Sequence, residues 1–364
     1  MSLELCDITS RVGGEDWLHD VDVRADVGLT VFAGPTLAGK TTLMRIAAGL
    51  DRPTRGRIVL DGVDVTGHSV RRRDVGVVYQ EFVNYPAMTV EGNVAAPLER
   101  EGRLGKAEIA ERVAEVAALL KLGPYMRRRP SELSGGQQQR VAIARALAKR
   151  ARLLIFDEPL ANLDYKLREE LRDELFRIFE SRESIVLYTT SEPQEALTFG
   201  GPTVVLDRGR VLQHAPAIEA FCAPASSEVA RVFSDPPMNL LPAEVSGGTV
   251  HVAGMEPFPA PPHFGDNVAG SVRLGMRPHR SGLRRRGDGE VELHGEVRLA
   301  EITGSDTYVH VGHEAGRLVI QATGVHVHDI GDPITVFLPA DALFAFAEPG
   351  GELLANPPWS RDDG

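Results

Sequence analysis

The chain has 364 residues, 25% of them charged, and carries a formal net charge of −11. That length leaves room for two domains, and the acidic balance argues against nucleic acid or anionic lipid as the main partner. No apolar run approaches the roughly 20 residues that span a bilayer, Met1-Ser2-Leu3-Glu4 does not open a signal sequence, and Cys6 and Cys222 are too few for a disulfide framework and match no metal-site spacing.

Leu29-Thr30-Val31-Phe32-Ala33 is an apolar run that reads as a buried strand. Directly after it, Gly34-Pro35-Thr36-Leu37-Ala38-Gly39-Lys40-Thr41 fits G-x-x-x-x-G-K-[ST], and Thr42-Leu43-Met44-Arg45-Ile46-Ala47-Ala48 reads as a helix. Strand, loop and helix in that order are the context in which this pattern binds nucleotide phosphates. Backbone N–H groups of the loop, through Thr42, would cradle the phosphates at the helix N-terminus. Lys40 would reach the β- and γ-phosphates of ATP, and the Thr41 hydroxyl would ligate Mg²⁺.

Arg71-Arg72-Arg73 reads as a solvated basic loop, as does Arg127-Arg128-Arg129 further on. Gly76-Val77-Val78-Tyr79 ends a strand, and Gln80 follows it. Phe82, Tyr85, Pro86 and Met88 then put apolar residues into what should be a surface loop, either a docking cleft or a small satellite core. Ile109, Val113, Val116 and Leu120 share one helix face. In Leu133-Ser134-Gly135-Gly136-Gln137, a hydroxyl and bare glycine N–H groups can make a second anion site at a helix start. Leu153-Leu154-Ile155-Phe156 is a strand apolar on both faces, as in a parallel sheet. Asp157 and Glu158 stand at its C-terminal end, where open α/β sheets hold their ligands. Asp157 would hold Mg²⁺ through water, and Glu158 would polarise the water that attacks the γ-phosphate. A further strand over 184–188 runs into Thr189-Thr190-Ser191-Glu192.

Around residue 235 the texture changes. Ser234-Asp235-Pro236-Pro237-Met238-Asn239 is a Pro-rich junction, and 257–262 is a Pro-rich loop. Val291, Leu293, Val297 and Leu299 alternate with polar residues, and strand-length runs follow over 308–311, 317–322 and 334–338. The pattern predicts a small all-β barrel of OB type. His326 and His328 would share one strand face, with His310 and His313 near in sequence; scattered surface histidines explain the set better than a metal site.

The phosphate loop, the Ser134 turn running into Gln138-Gln139-Arg140-Val141-Ala142, and the Asp157-Glu158 strand resemble the ATP-binding subunits of ABC transporters over residues 1 to about 235. The resemblance implies a P-loop ATPase domain over 1–235, a helical subdomain over about 88–150, and an accessory β-barrel over 236–364, where Leu274-Gly275-Met276-Arg277-Pro278 resembles a motif of such barrels. It implies that Ser134, Gly135, Gly136 and Gln137 cap the γ-phosphate held by a partner, so that two ATPase subunits sandwich ATP. Gln80 resembles the glutamine that senses Mg²⁺ and the attacking water, and Asp164, in Ala161-Asn162-Leu163-Asp164, the aspartate that crosses the seam. Catalysis then falls to Glu158 with Lys40, Gln80 and Asp157.

Three positions depart from the family. Ser191 stands where relatives have a histidine, so it could touch the γ-phosphate only through water, and hydrolysis could be slow. Leu37 replaces a common glycine, and Val12 stands where relatives stack an aromatic on adenine, leaving Trp17 as the nearest aromatic, platform or not. Together with Tyr79-Gln80-Glu81-Phe82 and Thr189-Thr190-Ser191-Glu192-Pro193, these departures resemble the ATPase subunits of bacterial glycerol importers, within the carbohydrate and polyol group. That branch implies a non-identical sister ATPase subunit, two permease subunits, a solute-binding protein acting at a distance, and a peripheral place on the cytoplasmic face of the membrane.

Overall fold

The computed structural model describes residues 1–180 and 183–359. The chain forms two compact units, Met1–His214 and Ala215–Gly364, dividing ahead of the Pro-rich junction at 234–239.

The first unit runs β1 (Ser2–Val12), β2 (Glu15–Asp26), β3 (Gly28–Ala33), α1 (Lys40–Ala48), β4 (Arg55–Leu60), β5 (Val63–Asp64), α2 (Val70–Arg73) and β6 (Val75–Val78). Then come α3 (Val90–Glu101), α4 (Lys106–Leu119), α5 (Gly135–Ala148), β7 (Leu153–Asp157), α6 (Tyr165–Glu180), β8 (Ile185–Thr190), α7 (Pro193–Phe199), β9 (Pro202–Asp207) and β10 (Arg210–Pro216). One sheet has the order β2-β1-β4-β5, the other β10-β9-β3-β8-β7-β6. In the second, β3, β6, β7, β8 and β9 pair in parallel. Every residue of β7 and β8 is buried, the pattern of strands covered on both faces. Leu43, Ile46 and Ala47 of α1 join Leu5, Ile8, Ile58, Ile155 and Leu187 in the core. This topology delivers the C-terminal ends of β3, β6, β7 and β8 to one edge, so the phosphate loop, Gln80, Asp157 and Ser191 all leave the sheet on that side.

Local sequence sets the helix limits. Thr89 caps α3 by accepting from the Gly92 N–H at 3.2 Å, and Gly102 closes it in the left-handed conformation. On α4, Val113 and Val116 are buried, Leu120 is buried just past its end, and Ile109 is half-buried. The basic run at 71–73 corrects the expectation of a solvated loop. It is helical, and Arg73 is only 2% exposed. Its guanidinium donates to the carbonyls of Ile46 and Ala47 at 2.6 and 2.8 Å, capping the end of α1. Arg127, Arg128 and Arg129 are exposed.

The second unit holds α8 (Ala217–Cys222), α9 (Ser227–Val232), β11 (Asn239–Ser246), β12 (Thr249–His251), β13 (Phe258–Pro259), β14 (Gly270–Met276), β15 (Glu290–Ile302), β16 (Asp306–His313), β17 (Gly316–Thr323), β18 (Pro333–Pro339), β19 (Phe344–Ala347) and β20 (Leu353–Ala355). Two antiparallel sheets, β13-β12-β11-β14-β19-β20 and β17-β16-β15-β18, share one core that includes Leu274, Leu293, Val309, Ile320 and Val336. Three expectations are corrected here. The alternation on β15 breaks after Val297, where a register shift turns Leu299 out to 43% exposure. The Pro-rich loop contains the short strand β13, anchored by buried Phe258. His326 and His328 lie in an irregular segment and share no strand face.

Candidate functional site

The phosphate loop has two glycines, Gly34 and Gly39, where the surroundings leave no room for a side chain. A Cβ on Gly34 would lie 2.2 Å from the Leu206 carbonyl oxygen, and one on Gly39, where φ is +100°, 2.9 Å from Leu18. The Gly209 N–H donates to the Ala38 carbonyl at 2.9 Å, tying the loop to the β9–β10 turn. Leu37 adopts φ +69° and is 78% exposed. A leucine there accepts a left-handed backbone that glycine takes freely, at a cost of about 1 kcal/mol. Lys40 is buried inside the loop, its Nζ donating to the carbonyls of Gly34 at 2.7 Å and Pro35 at 3.0 Å and pairing with Glu158 Oε1 at 3.0 Å. An ammonium folded into its own loop in this way fits an anion-binding cradle.

At the end of β7 the two carboxylates have different surroundings. Asp157 Oδ1 accepts from the Thr41 hydroxyl at 3.1 Å and from the Thr189 hydroxyl at 2.8 Å. Burial raises the Asp157 pKa, and the two hydroxyls oppose that rise. Thr41 and Asp157 together offer the hard oxygen donors that suit Mg²⁺, which usually takes only one or two protein ligands. Glu158 turns back with φ +44°, its N–H donating to Thr189 Oγ1 at 2.9 Å and its Oε2 accepting from Ser191 at 3.3 Å. Ser191 therefore touches the carboxylate at the strand end.

Gln80 is exposed, and its carbonyl accepts from Asn162 at 3.2 Å, which joins the end of β6 to the loop after β7. Asp164 accepts from the Leu167 N–H at 3.0 Å, capping α6. Ser134 and Gln137 form a reciprocal capping box at the start of α5, with bonds of 3.4 and 3.1 Å. A Cβ on Gly136 would lie 1.9 Å from Leu167 Cδ2, and one on Gly135 3.3 Å from the Phe82 ring. The turn is thus wedged between α6 and the segment after Gln80. Asn93, wholly buried, bonds both the N–H and the carbonyl of Tyr85, while Val83 and Met88 stay exposed.

So one edge of the sheet gathers Lys40, Thr41, Asp157, Glu158 and Ser191 into direct contact. Ser134 to Gln137 lie at the start of α5, bonded to one another. Trp17 on β2 is 39% exposed, with its carbonyl against the Gly209 turn. Sequence reasoning missed Thr189 and Asn93. Thr189 had one available signal: it is a hydroxyl at the end of a buried strand, two residues before Ser191.

Residues 18–161 match the ABC transporter family, and residues 274–346 match the TOBE domain. A xylose/arabinose import ATP-binding protein from Haloferax volcanii is 33% identical, over 97% of this chain and 95% of its own. An sn-glycerol-3-phosphate import ATP-binding protein from Cereibacter sphaeroides is 37% identical, over 96% of this chain and 99% of its own. Among solved structures, a dimeric ATP-binding cassette in a post-hydrolysis state, bound to ADP and Pi, superposes with a TM-score of 0.54 at 30% identity, covering 59% of this chain and 98% of that one. With identity held along nearly the full length of both relatives, and with the phosphate loop, signature turn and carboxylate pair in place, the chain belongs to the ABC transporter family as one of its ATP-binding, ATPase subunits.

Proposed function

We propose that the chain powers an importer for a small polyol or sugar from the cytoplasmic face of the membrane. The observation that carries the chemistry is the contact set Lys40–Glu158 at 3.0 Å, Thr41–Asp157 at 3.1 Å and Ser191–Glu158 at 3.3 Å. In this reading Gly34 to Thr42 hold the phosphates of ATP, and Lys40 leaves its carbonyl partners for them. Thr41, Asp157 and Gln80 hold Mg²⁺, which neutralises phosphate charge when bound. Glu158 accepts the proton of the attacking water, and Ser191 steadies its second oxygen. Ser134 to Gln137 of one subunit meet the nucleotide of the other, and Asp164 crosses the seam.

The working complex in this reading contains two permease subunits and a second ATPase subunit that is similar but not identical, served by a solute-binding protein. Residues 236–364 act as its accessory module. Closure of the ATP sandwich moves the helical subdomain, and the exposed apolar residues Val83, Pro86 and Met88 beside it pass that motion to the permease. Glycerol is the solute we put first, on the motifs shared with glycerol importer subunits. Glycerol 3-phosphate and pentoses follow from the names of the relatives above.

The test is uptake of labelled glycerol, glycerol 3-phosphate and xylose by a strain lacking this chain. Uptake of one solute should be lost and be restored by the wild-type chain. Glu158→Gln should not restore it, since loss of a general base lowers turnover by roughly 10²-fold or more. Unchanged uptake of all three solutes overturns the importer reading for this group.

A further inference from the structure

Thr189 sits in a place that a merely structural threonine does not need. It is wholly buried on β8, paired in register with Asp157 of β7. A hydroxyl has one proton to give and lone pairs to receive. The Glu158 N–H, 2.9 Å away, can only donate, so the Thr189 oxygen accepts there. Its own proton is then free for Asp157 Oδ1 at 2.8 Å. One side chain is thereby bonded to both residues of the carboxylate pair.

The contacts continue just past the end of the strand. Thr189 and Asp157 are paired in register, so their side chains stand on one face of the sheet, and just past the end of β8 Ser191 reaches Glu158 Oε2 at 3.3 Å. Residues 188 and 190 point the other way: the Tyr188 hydroxyl donates to Glu195 at 2.9 Å and that of Thr190 to the Glu192 carbonyl at 3.3 Å. The end of β8 therefore presents two neutral hydroxyls to two carboxylates, one above the other.

We propose that Thr189 is a positioning residue that fixes both carboxylates at once, holding the rotation of the Asp157 side chain through Oδ1 and the reversed backbone of Glu158 through its N–H. It acts through those two residues and need touch neither nucleotide nor metal. Without the hydroxyl, Asp157 keeps only Thr41 as a hydroxyl donor, and the Glu158 N–H loses its acceptor in a partly buried position. The inference rests on the reading of Thr41 and Asp157 as the Mg²⁺ site, so the test separates the two.

Thr189→Val keeps the shape and removes the hydroxyl; Thr189→Ser keeps the hydroxyl. Binding of ADP is measured by calorimetry with Mg²⁺ and with EDTA, and exchange of the Glu158 amide hydrogen is followed without nucleotide. Thr189→Val should lose roughly tenfold of the Mg²⁺-dependent gain in ADP affinity, the scale of an outer-shell partner, with binding in EDTA unchanged and the Glu158 amide exchanging faster. Thr189→Ser should match the wild type in both. A Thr189→Val protein with wild-type Mg²⁺ gain and wild-type amide protection overturns the positioning role and leaves the site reading standing. A wild type with no Mg²⁺ gain removes the site reading and the inference together. If Thr189→Val does not fold, Thr189→Ala is read by the same two criteria.

Discussion

Asp157 is held in a conflict between burial and charge. Burial disfavours its charge, and two hydroxyls recover only part of the lost hydration. Folded Asp157 keeps its proton to higher pH than it would in the unfolded chain. Folding therefore takes up a proton in that raised range, and stability falls as pH rises through it. Asparagine keeps an oxygen that can accept from Thr41 and Thr189 but carries no charge. Asp157→Asn should then stabilise the nucleotide-free protein by about 0.5–2 kcal/mol in chemical denaturation at neutral pH, while abolishing Mg²⁺-dependent nucleotide binding. A variant less stable than the wild type would show that the hydrogen bonds to the charged carboxylate outweigh the cost of burying it. At this scale the local pattern already placed Lys40, Thr41, Asp157 and Glu158 at strand ends, and the structure brings them into contact there. Arg73 was not legible. Nothing in a run of three arginines tells which one turns inward to the open carbonyls of a helix far back in the chain.

Elements meet tightly where α5 begins against α6. Gly136 has no room for a Cβ because Leu167 Cδ2 occupies that space, so the signature turn and α6 are fitted to each other. Gly136→Ala should destabilise the first unit by about 1–3 kcal/mol through overpacking, measured by thermal melting. Adding Leu167→Ala should remove the clash and show a favourable coupling of about 0.5–3 kcal/mol in a double-mutant cycle. Strict additivity would mean that the two helices do not constrain each other at this point. The turn itself could be read from Ser134 and Gln137, a capping box at the right spacing. Its snug seat could not, since Leu167 is remote in sequence. On β15 the same limit appears in another form: period-two alternation predicts the strand, but the shift after Val297 that exposes Leu299 depends on its pairing with β16.

One buried cation helps to tie α8 and α9 to the strands that follow them. Arg277, 3% exposed on the strand-end motif after β14, donates to the carbonyls of Phe233 at 2.9 Å and Phe221 at 2.6 Å and lies 3.7 Å from the Phe221 ring centre. Burial lowers its pKa to about 10. Those partners belong to the α8–α9 segment, which also bonds through the Ser227 N–H to the Gly351 carbonyl at 2.8 Å. A fragment of residues 215–364 should therefore melt cooperatively, whereas 236–364 loses the two acceptors of Arg277 and uncovers Met238, Phe344 and Phe346, and should be less stable by about 3 kcal/mol or more. Equal melting of the two fragments would place the boundary at the Pro-rich junction after all. By itself the sequence determined the ATPase motifs, their order along the chain and the change from helices to short strands, because each is written in local spacing and periodicity. Only the tertiary structure decided that Thr189 bonds the Asp157 carboxylate and the Glu158 N–H, that Arg73 closes α1, and that α8 and α9 fold with the β unit. Each of these is a hydrogen bond from one side chain to groups on another element, and no local pattern records which distant carbonyl or carboxylate will arrive.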